Sequence, residues 1–241
     1  MEIRTEWVKV PNQGLEIASY LARPVDAGTY PGIIVVQEIF GVNAHIRDVT
    51  ERIARLGYVA IAPSIYQRQA PGFEAGYTPA DVEQGRIYKD QTKAEELLSD
   101  IQATIDYLKR EFGITQFGTI GFCFGGHVVY LAATLPDVRV TASFYGGGIA
   151  TMTPGGGPPT ITRTADIKGT IWCFFGTRDP LIPNEQVDQI EQELQKHGID
   201  HQVFRYDADH GFFCNERDSY DPQAAADSWE KVQQLFARLR A

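Results

Sequence analysis

The stretch Gly121-Phe122-Cys123-Phe124-Gly125-Gly126 joins the apolar run Phe117 to Phe122 to a helix-like run. It reads as a nucleophile elbow, a sharp turn between strand and helix that holds a reactive side chain at its apex. A bulky residue two positions before or after the apex would strike neighbouring backbone, and Gly121 and Gly125 occupy those two positions. The turn sets the Cys123 sulfur at a helix N-terminus, where unpaired amides and the helix dipole favour a thiolate. A buried cysteine elsewhere in a chain is more often an inert apolar residue, so the reading depends on partner residues farther along the chain.

Downstream, Asp179 lies in Gly176-Thr177-Arg178-Asp179-Pro180 just past the run Thr170 to Phe175, and His210 lies in Asp209-His210-Gly211. Nucleophile, acid, histidine is the chain order of the α/β-hydrolase triad. Each member follows a strand-like run, so all three are expected at the carboxyl edge of one parallel sheet, where open α/β sheets place their sites. Asp179 also suits a turn before Pro180. Asp207 and Asp209 are closer to His210 in sequence, but chain neighbours seldom make the orienting contact.

The flanking chain supports that sheet. Thr5 to Val10 and Leu15 to Ala22 alternate around Pro11-Asn12-Gln13-Gly14, which predicts an antiparallel hairpin at the sheet edge. Pro31 to Val36 and Tyr58 to Pro63 are unbroken apolar runs separated by the helical face Ile46, Val49, Ile53 and Leu56, the signature of a parallel α/β sheet. Periodicity fades from Ser64 to Asp90, a segment expected to form a lid or substrate-binding excursion. Thr92 with Glu95 predicts a capping box for a helix that buries Leu97 to Phe112 along one face. Strand, helix and strand then recur to His201–Tyr206, and Asp221-Pro222 opens a closing helix carrying Trp229, Val232 and Phe236 inward. The expected fold is one doubly wound, mostly parallel α/β domain over residues 1–241.

Net charge −9 argues against a nucleic-acid or anionic-membrane partner. No apolar run approaches the roughly 18 residues of a membrane span, and the N-terminus has no signal core, so a cytoplasmic location is expected. The three cysteines, Cys123, Cys173 and Cys214, show no metal-ligand or redox-pair spacing, and no metal site is expected. The glycine tract at 146–148 and the Pro154 to Pro159 segment lack a phosphate-loop ending, and no dinucleotide fingerprint comes after the first central strand. No cofactor is expected. Oligomeric state is open. His45, His127, His197 and His201 are expected to be structural or surface residues.

Gln37-Glu38-Ile39-Phe40-Gly41-Val42-Asn43, Tyr66 to Gly72, the cysteine elbow, Asp179 and His210 together resemble the dienelactone hydrolase family of α/β-hydrolases. The resemblance implies an α/β-hydrolase fold and hydrolysis of a small enol-lactone or ester, of the carboxymethylenebutenolide type, through an acyl-cysteine intermediate. It implies Cys123 as nucleophile, His210 as base and acid, Asp179 as its orienter and Glu38 as a carboxylate that helps deprotonate the thiol. The implied oxyanion hole is the backbone amides of Ile39 and Phe124. The family also holds a substrate carboxylate with arginines, one of them four residues after the histidine, where this chain has Cys214. Arg86, Arg217 or Arg68 is left to fill that role, and a less anionic substrate is expected. Two other classes suit an accessible cysteine at an elbow, a catalytically silent binding scaffold and a thiol-based redox protein pairing Cys123 with Cys214.

Overall fold

The computed structural model describes residues 1–240. Eight strands form one sheet in the order β1-β2-β4-β3-β5-β6-β7-β8, with β1 (Ile3–Asn12), β2 (Leu15–Pro24), β3 (Gly32–Val36), β4 (Val59–Pro63), β5 (Phe117–Phe122), β6 (Val138–Phe144), β7 (Thr170–Gly176) and β8 (His201–Tyr206). The β1–β2 hairpin is antiparallel and pairs antiparallel to β4, and every other pairing is parallel. Gln13 and Gly14 both take positive φ at the hairpin turn, 49° and 85°, the geometry that matches the twist of paired strands.

Side-chain alternation explains why the central strands are apolar throughout. Ile33 and Val35 of β3 enter one core cluster, whereas Ile34 and Val36 enter the other. Helices α1 (Ala44–Arg55), α5 (Asn184–Lys196) and α6 (Pro222–Ala237) contribute to the first cluster, and α3 (Ala94–Phe112) contributes Leu97, Ile101, Ile105 and Leu108 to the second. Helix α4 (Phe124–Ala132) is buried all round and feeds both. No helix among the described residues is long and apolar enough to cross a membrane.

Local expectations change at three places. Residues 79–90 form a helix, α2 (Pro79–Asp90), opened by a capping box in which Thr78 Oγ1 accepts from the Asp81 amide and Asp81 Oδ2 accepts from the Thr78 amide. Only Gly85 of α2 is buried, so no apolar stripe betrays it in the sequence. The segment before it is strapped to the loop after β3: the Ala75 amide donates to Phe40, Gly41 bridges Glu74, and Arg47 makes two hydrogen bonds to Glu74. Thr92 does not cap α3. Its hydroxyl donates to Lys89 at the end of α2, and Lys93 is the N-cap, without a side-chain bond. Phe112 closes α3 at the surface, 36% exposed, under the Arg23 guanidinium.

His127, on α4 directly after the elbow, shows how tightly this region is fixed. Its Nδ1–H donates to the Gly147 carbonyl at 2.9 Å, so Nε2 accepts from Thr160 Oγ1 at 2.7 Å. Burial keeps the ring neutral, with its pKa lowered to about 4, and burial lowers His45 to about 3. Unfolded histidines titrate near 6.5, so at pH 4–6.5 the unfolded chain binds more protons and stability falls as pH falls. Each histidine contributes up to ~1.4 kcal/mol per pH unit to that slope. In urea unfolding between pH 7 and 5, His127→Gln is therefore expected to show a shallower loss of stability than wild type. Equal slopes would mean that the buried ring is not the neutral one.

Candidate active site

Cys123 sits between β5 and α4 with φ 56° and ψ −119°, a conformation that costs a non-glycine residue ~1–3 kcal/mol. The surroundings impose it. Its amide donates to Phe144 at the end of β6 (3.0 Å), and its carbonyl accepts from the His127 amide (3.2 Å). A Cβ on Gly121 would collide with the Gly125 carbonyl, and one on Gly125 would collide with the carbonyls of Val36 and Gln37. The helix thus lies directly against the carboxyl ends of β3 and β5.

His210 comes after β8 and Asp179 after β7. His210 Nδ1–H donates to Asp179 Oδ2 at 2.6 Å, while Asp179 Oδ1 accepts from the Leu181 amide at 2.8 Å, which fixes the carboxylate from both sides. His210 Nε2 is buried without a hydrogen-bond partner. Burial works against the charged ring, but the Cys123 charge and the Asp179 hydrogen bond outweigh it and raise the His210 pKa to about 10. Asp209 instead bonds the His210 amide, and Asp207 pairs with Arg178. The Tyr145 ring packs edge-on against His210, with centroids 5.1 Å apart.

Glu38 comes after β3 and is 1% exposed. Its Oε1 accepts from Arg217 at 2.9 Å, and its Oε2 has no partner. Burial raises the Glu38 pKa, against the pull of Arg217 and His210. Arg217 in turn lies near the rings of Phe40 and Tyr77, in space that Gly211 leaves open: a Cβ there would strike its guanidinium.

Cys123, His210, Arg217, Ile39 and Phe124 line one cavity of about 290 Å³. The amides of Ile39 and Phe124 donate to no protein atom among the described residues. Arg86 and Lys89 of α2 also reach the cavity. Arg68 does not, since it is paired with the buried Asp100. A larger cleft of about 640 Å³, lined by Tyr30, Gln116 and Arg240 at the opposite end of the strands, has no cysteine, histidine or acidic residue in its lining. Sequence reasoning missed Lys89, whose helix has no apolar period, and placed His45 only as structural or surface. His45 is 2% exposed, close to Glu38 and Cys214.

Residues 17–240 match the model of the Dienelactone hydrolase family. A protein of Synechocystis sp., provisionally named carboxymethylenebutenolidase, is 58% identical over 98% of this chain and 97% of its own length. A Bradyrhizobium sp. protein, provisionally named 2-oxo-3-(5-oxofuran-2-ylidene)propanoate lactonase, is 30% identical over 95% of this chain and 92% of its own. Among solved structures, a Klebsiella pneumoniae protein provisionally named dienelactone hydrolase superposes with a TM-score of 0.88 at 30% identity, covering 98% of this chain and 99% of that one.

The largest favourable contribution to the His210 imidazolium is the charge on Cys123. While Cys123 carries that charge, His210 stays protonated across the neutral range, so its share of stability is fully present below pH 6.5 and is lost as pH rises toward 10. Cys123→Ala is expected to lower the His210 pKa by about 1–3 units, read from imidazole nitrogen shifts by NMR. An unchanged titration would show that the sulfur does not carry the opposing charge.

Proposed function

Because the chain belongs to the dienelactone hydrolase family, we propose that it hydrolyses a small lactone or ester bearing a carboxylate, through an acyl-cysteine on Cys123. The observation that carries this reading is that one small cavity is lined by Cys123, by His210 held on Asp179, and by Arg217. A thiol is mostly protonated at neutral pH and needs a base or cation beside it. His210 supplies that function, and Asp179 fixes its tautomer. Glu38 has an unpaired oxygen and a raised pKa, which suits a group that accepts the thiol proton.

Thiolate attack on the carbonyl carbon forms a C–S bond and moves the π electrons onto oxygen. The amides of Ile39 and Phe124 stabilise that oxyanion, by ~2.7–4 kcal/mol for a single donor. Collapse breaks the C–O bond of the ring, and His210 protonates the departing oxygen. Water, deprotonated by His210, then attacks the acyl carbon; collapse breaks the C–S bond, the sulfur leaves as a thiolate that takes its proton back from Glu38, and the acid is released.

The cation set revises the expectation of a less anionic substrate. Cys214 cannot clamp an anion, but Arg217, Arg86 and Lys89 all face the cavity. An incoming carboxylate competes with Glu38 for Arg217, so binding an anion frees Glu38 for the thiol proton. The Bradyrhizobium relative's name describes a lactone ring with a pendant carboxylate, in keeping with this class.

Purified protein is expected to turn over carboxymethylenebutenolide and an activated neutral aryl ester, and Cys123→Ala to lose both. Arg86 is exposed and pairs with no acid among the described residues. Arg86→Leu should lower kcat/KM for the anionic lactone by about tenfold, since hydrogen bonds to charged groups are worth ~1.5–3 kcal/mol before solvent screening. The aryl ester should be unaffected. Turnover that survives Cys123→Ala, or no turnover in wild type whose Cys123 still reacts with a thiol reagent, would refute the hydrolytic reading.

A further inference from the structure

Three residues far apart in sequence meet behind the cavity: Glu38 after β3, His45 in the first turn of α1 and Cys214 in the loop after β8. A carboxylate oxygen, an imidazole nitrogen and the thiol sulfur lie within 4.8 Å of one another. All three residues are at most 2% exposed. Glu38 Oε2 and His45 Nε2 are both buried with no hydrogen-bond partner. Leaving such atoms unpaired costs ~1–3 kcal/mol each, a cost that an occupant bonded to both residues would recover.

We propose that Glu38, His45 and Cys214 form a binding site for one soft, singly charged metal ion of the Cu(I) or Ag(I) type. Ligand chemistry selects softness, because thiolate and imidazole together suit Cu(I) better than hard oxygen-seeking cations. Charge balance selects a monovalent ion. Glu38 is already paired with Arg217 at 2.9 Å, so those two charges cancel with Cys214 as a thiol, and the Arg52 guanidinium that also acts on His45 disfavours further positive charge. When M⁺ binds, the S–H bond breaks, its proton leaves to solvent and the metal–sulfur bond takes its place. No electron is transferred and the net charge is unchanged. A dication would leave one uncompensated positive charge in a buried site beside a guanidinium, which is costly.

The surrounding hydrogen bonds accommodate the exchange. Cys214 S–H donates to Tyr77 Oη at 3.3 Å, and Tyr77 Oη also accepts from Asn43 Nδ2 at 3.1 Å. Once the sulfur is a thiolate, the Tyr77 hydroxyl proton turns toward it, and Asn43 continues to hold the oxygen. Such outer partners orient ligands and tune their affinity. The ion enters past Arg217, which is one-fifth exposed and lines the cavity.

The test is anaerobic titration of full-length Cys123→Ala with Cu(I) against a chromophoric chelator, the substitution removing the accessible thiol. One Cu(I) per chain is expected, with sulfur and nitrogen neighbours in X-ray absorption. Cys214→Ser and His45→Phe in that background should each weaken binding by at least about 100-fold, the upper end of what losing an outer-shell partner costs. Cys173→Ala in the same background should leave it unchanged, because Cys173 lies in β7 and is not one of the three residues that meet. Circular dichroism reports folding, and Cys214→Ser carries the test if His45→Phe does not fold. No binding in Cys123→Ala, binding that survives Cys214→Ser, or preference for Zn(II) over Cu(I) would overturn the proposal.

Discussion

The site depends on how closely α4 can approach the sheet. Its first turn lies against the carboxyl ends of β3 and β5, a distance possible only because positions 121 and 125 have no side chain. That contact forces Cys123 into positive φ and is held by the amide bond to Phe144 and the carbonyl bond to His127. The strain is local, and the packing of a wholly buried helix between two core clusters supports it. Everything at the carboxyl edge takes its position from this one contact, including the loop after β3 that carries Glu38 and Ile39.

Electrostatics sets the second constraint. Glu38 is essentially removed from water, and an isolated carboxylate there would simply take up a proton. Arg217 counters that tendency with one hydrogen bond and leaves the other oxygen free. A buried pair satisfied on only one side stabilises the fold weakly and is sensitive to any anion that reaches the arginine. His210 has the opposite balance. It is buried, yet the Asp179 hydrogen bond and a charge on Cys123 both favour its protonated form.

The sheet was legible because parallel strands buried on both faces read as unbroken apolar runs, as in Gly32–Val36 and Phe117–Phe122. The residues around Cys123 were legible because a positive-φ turn leaves glycines at fixed offsets. Their convergence with Asp179 and His210 came from strand ends sharing one edge. Helix α2 was not legible, since it buries a single glycine and is recognisable only by its cap. The Thr92 cap misled for a related reason: a hydroxyl between two helices can close the first as well as open the second. The cluster of Glu38, His45 and Cys214 could not be read at all, because its members share no element and no spacing.

Arg217 shows how loop geometry can carry a side chain to a place that sequence offset alone does not suggest. After His210 the backbone runs through successive tight turns: the Cys214 amide donates to Gly211, the Arg217 amide to Cys214 and the Tyr220 amide to Arg217. Bonds between residues three apart bring side chains at that spacing onto the same side, as in a 3₁₀ helix. Positions 214 and 217 therefore both face Glu38, one with a thiol that packs and the other with a guanidinium long enough to reach past it. The vacant space over Gly211 accepts the longer side chain. An arginine moved by one turn of this loop keeps its target, whereas a shift of one or two residues would turn it away. The same turn leaves a sulfur next to the carboxylate, and that is what gives the buried cluster its soft ligand.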